Sequence, residues 1–124
     1  VTFDPWDDAA VDRVGPALER AVPGGTNVEL CRVSEGGRRI EVVVWERGVG
    51  RTLACGTGAV AAAGAAIAAG LARHDEPITV ALPGGELVVT VDRAWQARML
   101  GPAERVFEGE LPEPGPDAAG ARTP

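Results

Sequence analysis

A run of small apolar residues between positions 53 and 72 constrains the fold of this 124-residue chain more than any other feature. The segment LACGTGAVAAAGAAIAAGLA carries no charge, and it predicts a helix that ends near Arg73 and is stopped by Pro77. A helix that is apolar on every side must be surrounded by protein, and one built from such small residues must be packed tightly. Gly64 and Gly70 each cost about 1 kcal/mol relative to alanine inside a helix, which predicts close packing against their backbone.

The same segment is long enough to cross a bilayer, but its residues gain little from lipid. Four of its residues are strongly apolar, namely Leu53, Val60, Ile67 and Leu71. Membrane insertion is driven by leucine, isoleucine, phenylalanine and valine rather than by alanine and glycine. We therefore expect a protein that does not insert into membranes.

Charge and cysteine content narrow the class of protein further. The formal net charge is −6, which argues against a nucleic-acid-binding surface. The N-terminal residues lack the pattern of a secretory signal, so we expect a cytoplasmic protein without a disulfide between Cys31 and Cys55. The chain opens on Val1 in sequence typical of the middle of a protein, and we expect it to be a fragment.

The region before the alanine-rich segment predicts one helix followed by a hairpin. Asp7 and Asp8 should open the helix, Gly15-Pro16 should break or kink it, and PGG at 23–25 should end it. Residues 26–33 and 38–46 alternate as strands around the turn at 34–37. The apolar face of the first helix is predicted to contain Val11, Val14, Leu18 and Val22.

The region after the alanine-rich segment predicts further strand pairs. Residues 77–82 and 86–91 flank a PGG turn and predict a hairpin, and residues 95–100 and 104–111 predict another strand pair. Residues 112–124 have no apolar period and predict a disordered tail. The fold class is therefore α+β, with mixed or antiparallel strands wrapped around a central alanine-rich helix.

Cys55 stands where the alanine-rich helix begins. The first amides of a helix have no acceptor within the helix and carry a partial positive charge, so a thiolate is stabilised there. The same amides can bind a carboxylate or phosphate, and glycine at 56 and 58 lets a ligand approach the backbone. On the residues alone, the favoured interpretation is a small buried cysteine beside a glycine turn.

Other kinds of site fit the sequence poorly. A Walker phosphate loop needs a lysine, which the chain lacks, and the separations of two cysteines and one histidine do not make a metal-ligand set. Cys31 lies in an alternating strand without neighbouring glycines, and we expect it to be structural.

The segment ERGVGRTLACGTGA at 46–59 resembles the C-terminal signature of the diaminopimelate epimerase family. Weaker similarity is carried by GPALE, TNVEL, LPGGEL and GPAERVFEGEL, so the resemblance covers the chain to about Leu111. Proline racemases and phenazine-pathway isomerases share the fold that this resemblance implies. Residues 1–111 are then an incomplete C-terminal domain, one half of a two-domain fold.

The resemblance implies an isomerase that interconverts LL- and meso-diaminopimelate, in lysine and peptidoglycan synthesis, without pyridoxal phosphate or any other cofactor. Two cysteines on opposite faces of the α-carbon act as base and acid, and Cys55 is one of them. Gly56 and Thr57 supply amides for the reacting carboxylate. The resemblance further assigns Glu46 to the substrate ammonium and the proton transfers, Arg47 to the distal carboxylate, and Asn27 to the distal amino-acid end.

The sequence departs from the family pattern in two respects. Arg51 stands where the family usually has an acidic residue, and the second catalytic cysteine belongs to an N-terminal half that is not among these residues. The resemblance thus implies a homodimer when the protein is complete and an inactive fragment when these residues stand alone. A related amino-acid racemase of the same fold and a non-catalytic ligand-binding module remain alternatives.

Overall fold

The computed structural model describes residues 1–3 and 5–110, which form helices on both faces of one mixed sheet. In these residues the strand order is β1-β2-β4-β5-β6, and β3 pairs with β2 beside it. The β2–β4 pair is parallel and the others are antiparallel, which confirms the α+β class. The elements are α1 (Asp8–Ala21), β1 (Val28–Ser34), β2 (Arg39–Glu46), β3 (Gly50–Thr52), α2 (Gly56–Ala68), β4 (Ile78–Leu82), β5 (Gly85–Val91) and β6 (Ala97–Leu100).

The two central hairpins follow the prediction. β1 and β2 pair antiparallel around a short 3-10 turn at Glu35–Gly37, and β4 and β5 pair around the PGG turn. The connection from β2 to its parallel neighbour β4 contains α2, so the alanine-rich helix is the crossover that a parallel pair requires.

Helix α2 packs on one face of the sheet against β1, β2, β4, β5 and β6. Its inward alanines lie in a core with the valines and isoleucines of the strands, and their small size lets the helix lie close to the sheet. Within the described residues the outward face of this helix is exposed at Ala61 and Ala68. The buried alanines are Ala59, Ala62, Ala63 and Ala66.

The alanine-rich helix ends at Ala68, several residues before the predicted end near Arg73. Gly70 adopts a φ of 72°, its amide donates to the Ile67 carbonyl, and the Leu71 amide donates to the Ala66 carbonyl. This is the pattern in which a left-handed glycine closes a helix C-terminus. Gly70 is therefore a helix terminator and not the interior residue that we expected.

Helix α1 covers the opposite face of the sheet. Asp7 caps it by accepting from the Ala10 amide, and the helix continues through Pro16 without the expected break. The backbone approaches β2 so closely that a side-chain carbon on Gly15 would lie 2.7 Å from the Trp45 ring. The second core cluster consists of Val11, Val28, Leu30 and Val43, whereas Leu18 and Val22 are exposed, contrary to the predicted apolar face.

The end of the described chain differs from the prediction. β6 pairs with β5, and residues 101–110 form no strand, so the expected pairing of 95–100 with 104–111 is wrong. The predicted tail at 112–124, together with Leu111, lies outside the described residues. Neither described helix combines the length and apolar character needed to cross a membrane.

Candidate active site

Cys55 is the N-cap residue of α2, as the sequence predicts. Its backbone is extended, with φ −145° and ψ 107°, and its carbonyl accepts from the Ala59 amide at 2.9 Å. Its sulfur accepts a hydrogen bond from the Gly58 amide at 3.3 Å and lies 3.4 Å from the Thr57 hydroxyl. The sulfur thus occupies the acceptor position that serine, threonine or aspartate usually fills at a helix start, where negative charge is favoured.

An open cleft of about 400 Å³ lies beside the first turn of α2. It brings together Asn27, Arg47 and Thr57, three of the residues that the sequence assigns to substrate binding. Its other lining residues are Gly25, Thr26, Glu29, Gly58 and Ala61. The cleft is therefore lined both by the first turn of α2 and by the arginine that follows β2.

Arg47 is held in place through both its backbone and its side chain. Its amide donates to Asn27 Oδ1 at 2.9 Å, and its Nη1 donates to the Gly24 carbonyl at 3.2 Å. The arginine stem passes so close to Gly25 that a side-chain carbon there would lie 2.7 Å from Arg47 Cδ. Asn27 thus joins the start of β1 to the end of β2, and this contact replaces the turn-capping role that its position after PGG also allows.

Glu46 ends β2 just before the turn that carries Arg47. Its Oε1 accepts from the Thr52 hydroxyl at 2.7 Å, and its side chain is half-buried. The turn needs left-handed backbone, which Gly48 and Gly50 supply with φ values of 75° and 95°. The residues that line the cleft do not include Glu46. The Glu46 carboxylate is thus hydrogen-bonded to β3. Cys55 and Gly56, like Glu46, are not among the residues that line this cleft.

Glu19 of α1 fixes the same turn, and the sequence analysis did not select it. Its carboxylate accepts from the Trp45 indole N–H at 2.7 Å and from the Gly48 amide at 3.0 Å. These hydrogen bonds, the indole bond first, lower the pKa of Glu19 below its ordinary value. No local pattern signals this role, because the partners lie 26 and 29 positions away in the chain.

Glu29 is the second functional candidate that sequence reasoning missed. It lies on β1, is 5% exposed, and lines the cleft. A side-chain carbon on Gly58 would lie 3.0 Å from Glu29 Oε1 and 3.2 Å from Cys55 Sγ. Gly58 thus leaves the space in which a carboxyl group and the thiol both reach the first turn of α2.

The remaining predicted positions have simpler surroundings. A side-chain carbon on Gly56 would lie 3.1 Å from Met99 Cε, so β6 covers this glycine closely. Arg51 forms an ion pair with Asp12 of α1 at 3.6 Å, which offsets its charge near the helix start. Cys31 is buried in the core under α2, and burial raises the pKa of its thiol to about 12.

Both cysteines carry free thiols. Within residues 1–3 and 5–110, no three histidine, cysteine, aspartate or glutamate side chains lie close enough together to bind a metal ion.

Comparison with known proteins places this chain in a family. Residues 3–106 match the family model described as diaminopimelate epimerase. A diaminopimelate epimerase of Sphingopyxis alaskensis is 49% identical over 113 residues, which are 89% of this chain and 41% of that protein. One of Bacillus licheniformis is 42% identical over 111 residues, which are 88% of this chain and 39% of that protein. The chain thus spans about two fifths of the length of these curated relatives.

Among solved structures, a Bacillus anthracis phenazine biosynthesis protein of the PhzF family has a similar fold. The TM-score is 0.54 at 19% identity, over 76% of this chain and 30% of that one. This likeness shows the fold alone, which is the fold that the signature implies. The match of the family model over nearly all the described residues establishes that the chain belongs to the diaminopimelate epimerase family.

Proposed function

We propose that this chain forms one half of the active site of a cofactor-independent epimerase that interconverts LL- and meso-diaminopimelate. The observation that carries the proposal is the position of Cys55, whose sulfur accepts from a first-turn amide of α2 beside a cleft lined by Asn27 and Arg47. Membership of the family supports an epimerase reaction, and the positions of these groups support the roles proposed for them below.

The first turn of α2 would hold the carboxylate of the reacting end. The amides of Gly56 and Thr57 point out of the helix start, where they can donate to an anion. Charge that develops on this carboxylate when the α-proton leaves is stabilised by the same amides. Cys55 then takes the proton as thiolate or supplies one as thiol.

The far wall of the cleft would hold the other amino-acid end. The planar guanidinium of Arg47 suits a carboxylate, which it can bind through two parallel hydrogen bonds. Asn27 uses its carbonyl oxygen on the Arg47 amide, so its NH₂ group would donate to the distal end. Glu46 would act on the substrate ammonium only if it releases the Thr52 hydroxyl.

One thiol cannot remove a proton from one face of a carbon and return another to the opposite face. We therefore propose that the second cysteine comes from the part of the protein that precedes residues 1–111, and that residues 1–124 alone are inactive. The complete enzyme would be a cytoplasmic homodimer.

Solvent deuterium exchange tests this proposal. The natural full-length protein, incubated with LL-diaminopimelate in D₂O without added cofactor, should incorporate deuterium at the α-carbon and form the meso isomer, as followed by NMR. Cys55→Ala should lower the rate by about a thousandfold or more, because it removes a general acid and base. Cys31→Ala is the matched control and should retain exchange.

Two results would overturn the proposal. Absence of exchange from the wild-type protein would favour the binding module, and full exchange by Cys55→Ala would remove the cysteine mechanism. Exchange of a monocarboxylate amino acid in preference to diaminopimelate would favour the related racemase, since that substrate leaves Arg47 without its carboxylate.

A further inference from the structure

Glu29 is directed toward α2 rather than toward α1. Its strand neighbours Val28 and Leu30 pack in the cluster beneath α1, whereas Cys31 packs in the cluster beneath α2. Glu29 Oε1 lies 3.0 Å from the point where a side-chain carbon on Gly58 would stand. The carboxyl group therefore lies against the first turn of α2, within the cleft wall.

Burial of this carboxyl group opposes its charge. A buried carboxylate is costly unless it is paired, and burial is the main cause that raises the pKa of Glu29 above its ordinary value. The carboxylate of Glu46 raises this pKa further. The ionised form of Glu29 is thus disfavoured in the folded protein, and a cation in the cleft would stabilise it.

The geometry of an amino acid links this carboxyl group to the anion site. An α-carboxylate and an α-ammonium group are attached to the same carbon, so the groups that bind them must lie within a few ångströms of each other. Glu29 Oε1 and Cys55 Sγ lie 3.0 Å and 3.2 Å from the same point beside Gly58, so this carboxyl group is within reach of a carbon held against the sulfur at the helix start. Glu46, in contrast, is hydrogen-bonded to Thr52.

We infer that Glu29 is a substrate-binding residue that selects an amino-acid head group by contacting the ammonium on the carbon facing Cys55. This inference rests on the proposed function, since it assigns a partner to the end of the substrate that reacts. The carboxylate of that end binds the helix amides, and its ammonium lies against the Glu29 carboxylate. The site then prefers a zwitterionic head group over a plain carboxylate.

The inference predicts a distinctive pH dependence. Protonation of Glu29 at acid pH removes the charge that binds the ammonium, so kcat/KM should fall on an acid limb that lies above the ordinary range of glutamate. The titratable side chains facing Glu29 are Glu46 of β2, Cys55 at the start of α2 and Cys31 of β1.

The experiment compares Glu29→Gln with wild type in the natural full-length protein. This substitution keeps the shape of the side chain and removes its charge. We expect kcat/KM for α-proton exchange of diaminopimelate to fall by roughly tenfold to a hundredfold, mainly through KM, as for loss of a hydrogen bond to a charged group. The acid limb should move to lower pH, and inhibition by pimelate, which lacks both ammonium groups, should be unchanged or stronger.

Glu41→Gln is the matched control, because Glu41 is a surface carboxylate paired with Arg32 on the neighbouring strand. It should leave kcat/KM and the pH profile unchanged. Glu29→Asp keeps the charge but moves it away from the cleft, because the side chain is one methylene shorter. This variant should retain the acid limb and have a higher KM.

Several outcomes overturn the inference and separate it from the proposed function. If wild type exchanges the α-proton but Glu29→Gln keeps its kcat/KM and acid limb, Glu29 does not bind the ammonium and the epimerase proposal stands. If Glu29→Gln weakens the binding of diaminopimelate and of pimelate equally and leaves the pH profile of kcat/KM unchanged, the role of Glu29 is structural. If wild type shows no exchange, both proposals fall.

Discussion

The two cysteines of the chain show how strongly position decides what a thiol can do. Cys31 lies in the middle of β1, is 1% exposed, and contacts the apolar core beneath α2. Cys55 lies at the start of α2, half-buried, with an amide donating to its sulfur and an open cleft beside the same turn. Burial raises the pKa of the Cys31 thiol to about 12, whereas the Cys55 sulfur accepts a hydrogen bond from an amide of a helix start. The Cys31 thiol thus fills space in the core, and the Cys55 thiol is only half-buried.

Glycine makes this difference possible. Gly58 leaves open the space that a side chain would fill between Cys55 Sγ and Glu29 Oε1. Around Cys31 the corresponding space is filled by alanine, valine and isoleucine side chains. The comparison therefore predicts different reactivity, different tolerance of substitution and different responses to pH.

The largest expected effect is on the rate of alkylation. Iodoacetamide reacts with thiolate, so Cys55 should be labelled at least about a hundredfold faster than Cys31 near pH 8. Mass spectrometry of tryptic peptides measures both rates in one sample of the natural full-length protein, because arginine cleavage places Cys31 in residues 21–32 and Cys55 in residues 52–73. In urea the two rates should converge, which serves as the control.

Equal and slow labelling of both cysteines in the folded protein would break the comparison. It would show that the Cys55 sulfur is as inaccessible as that of Cys31, and it would favour the non-catalytic binding module.

The next effect comes from closing the space beside Cys55. Gly58→Ala places a carbon 3.0 Å from Glu29 Oε1 and 3.2 Å from Cys55 Sγ, so one of these groups must shift. We expect α-proton exchange to fall by about tenfold, as misplacement of reacting groups does. Exchange kinetics and urea unfolding of the full-length protein measure the loss of activity and any loss of stability separately.

Gly64→Ala is the matched control on the same helix. The nearest atom to its added carbon would be Trp95 Cζ3 at 4.0 Å, which is an ordinary contact. This variant should keep its activity and gain about 1 kcal/mol in the free energy of unfolding from helix propensity. Equal activity losses in the two variants would show that the effect belongs to α2 as a whole and not to the space beside Cys55.

The sequence was sufficient for features that depend on local rules. Asp7 as a helix cap, the hairpins around 34–37 and 83–85, and Cys55 at a helix start all follow from turn and capping residues next to periodic segments. The resemblance to the family assigns Asn27 and Arg47 to the same end of the substrate, which implies that they lie close together. In the structure the Arg47 amide donates to Asn27 Oδ1.

The features that sequence reasoning missed depend on tertiary contacts. Gly70 terminates α2 because its left-handed backbone closes the helix, although the alanine pattern continues past it. β6 pairs with β5 because that edge is available, and strand propensity at 104–111 does not decide pairing. From the sequence, Glu29 is one residue of an alternating strand, and only the position of Gly58 shows that its carboxyl group reaches the first turn of α2.

The smallest expected effect is on the free energy of unfolding and concerns Glu29. This residue is buried, as Cys31 is, but it also lines the cleft beside the first turn of α2. Burial raises the pKa of Glu29 in the folded state above its unfolded value, so the folded state binds more protons between those two values. The contribution of Glu29 to the free energy of unfolding should therefore fall as the pH rises through this window, and it should level off above the folded pKa. Urea unfolding of the full-length protein between about pH 4 and about pH 8 measures this slope.

Glu29→Gln should remove this part of the slope and leave the protein at least as stable as wild type at neutral pH, since it removes a buried charge. Glu41→Gln should keep the slope, because Glu41 is exposed on the surface. If Glu29→Gln and wild type share one pH profile of stability, the Glu29 carboxyl is as well solvated as that of Glu41. Water would then reach the cleft wall at Glu29. The difference between Cys31 and Cys55 would in that case depend only on the position of Cys55 at the start of α2, and not on a buried carboxyl group beside it.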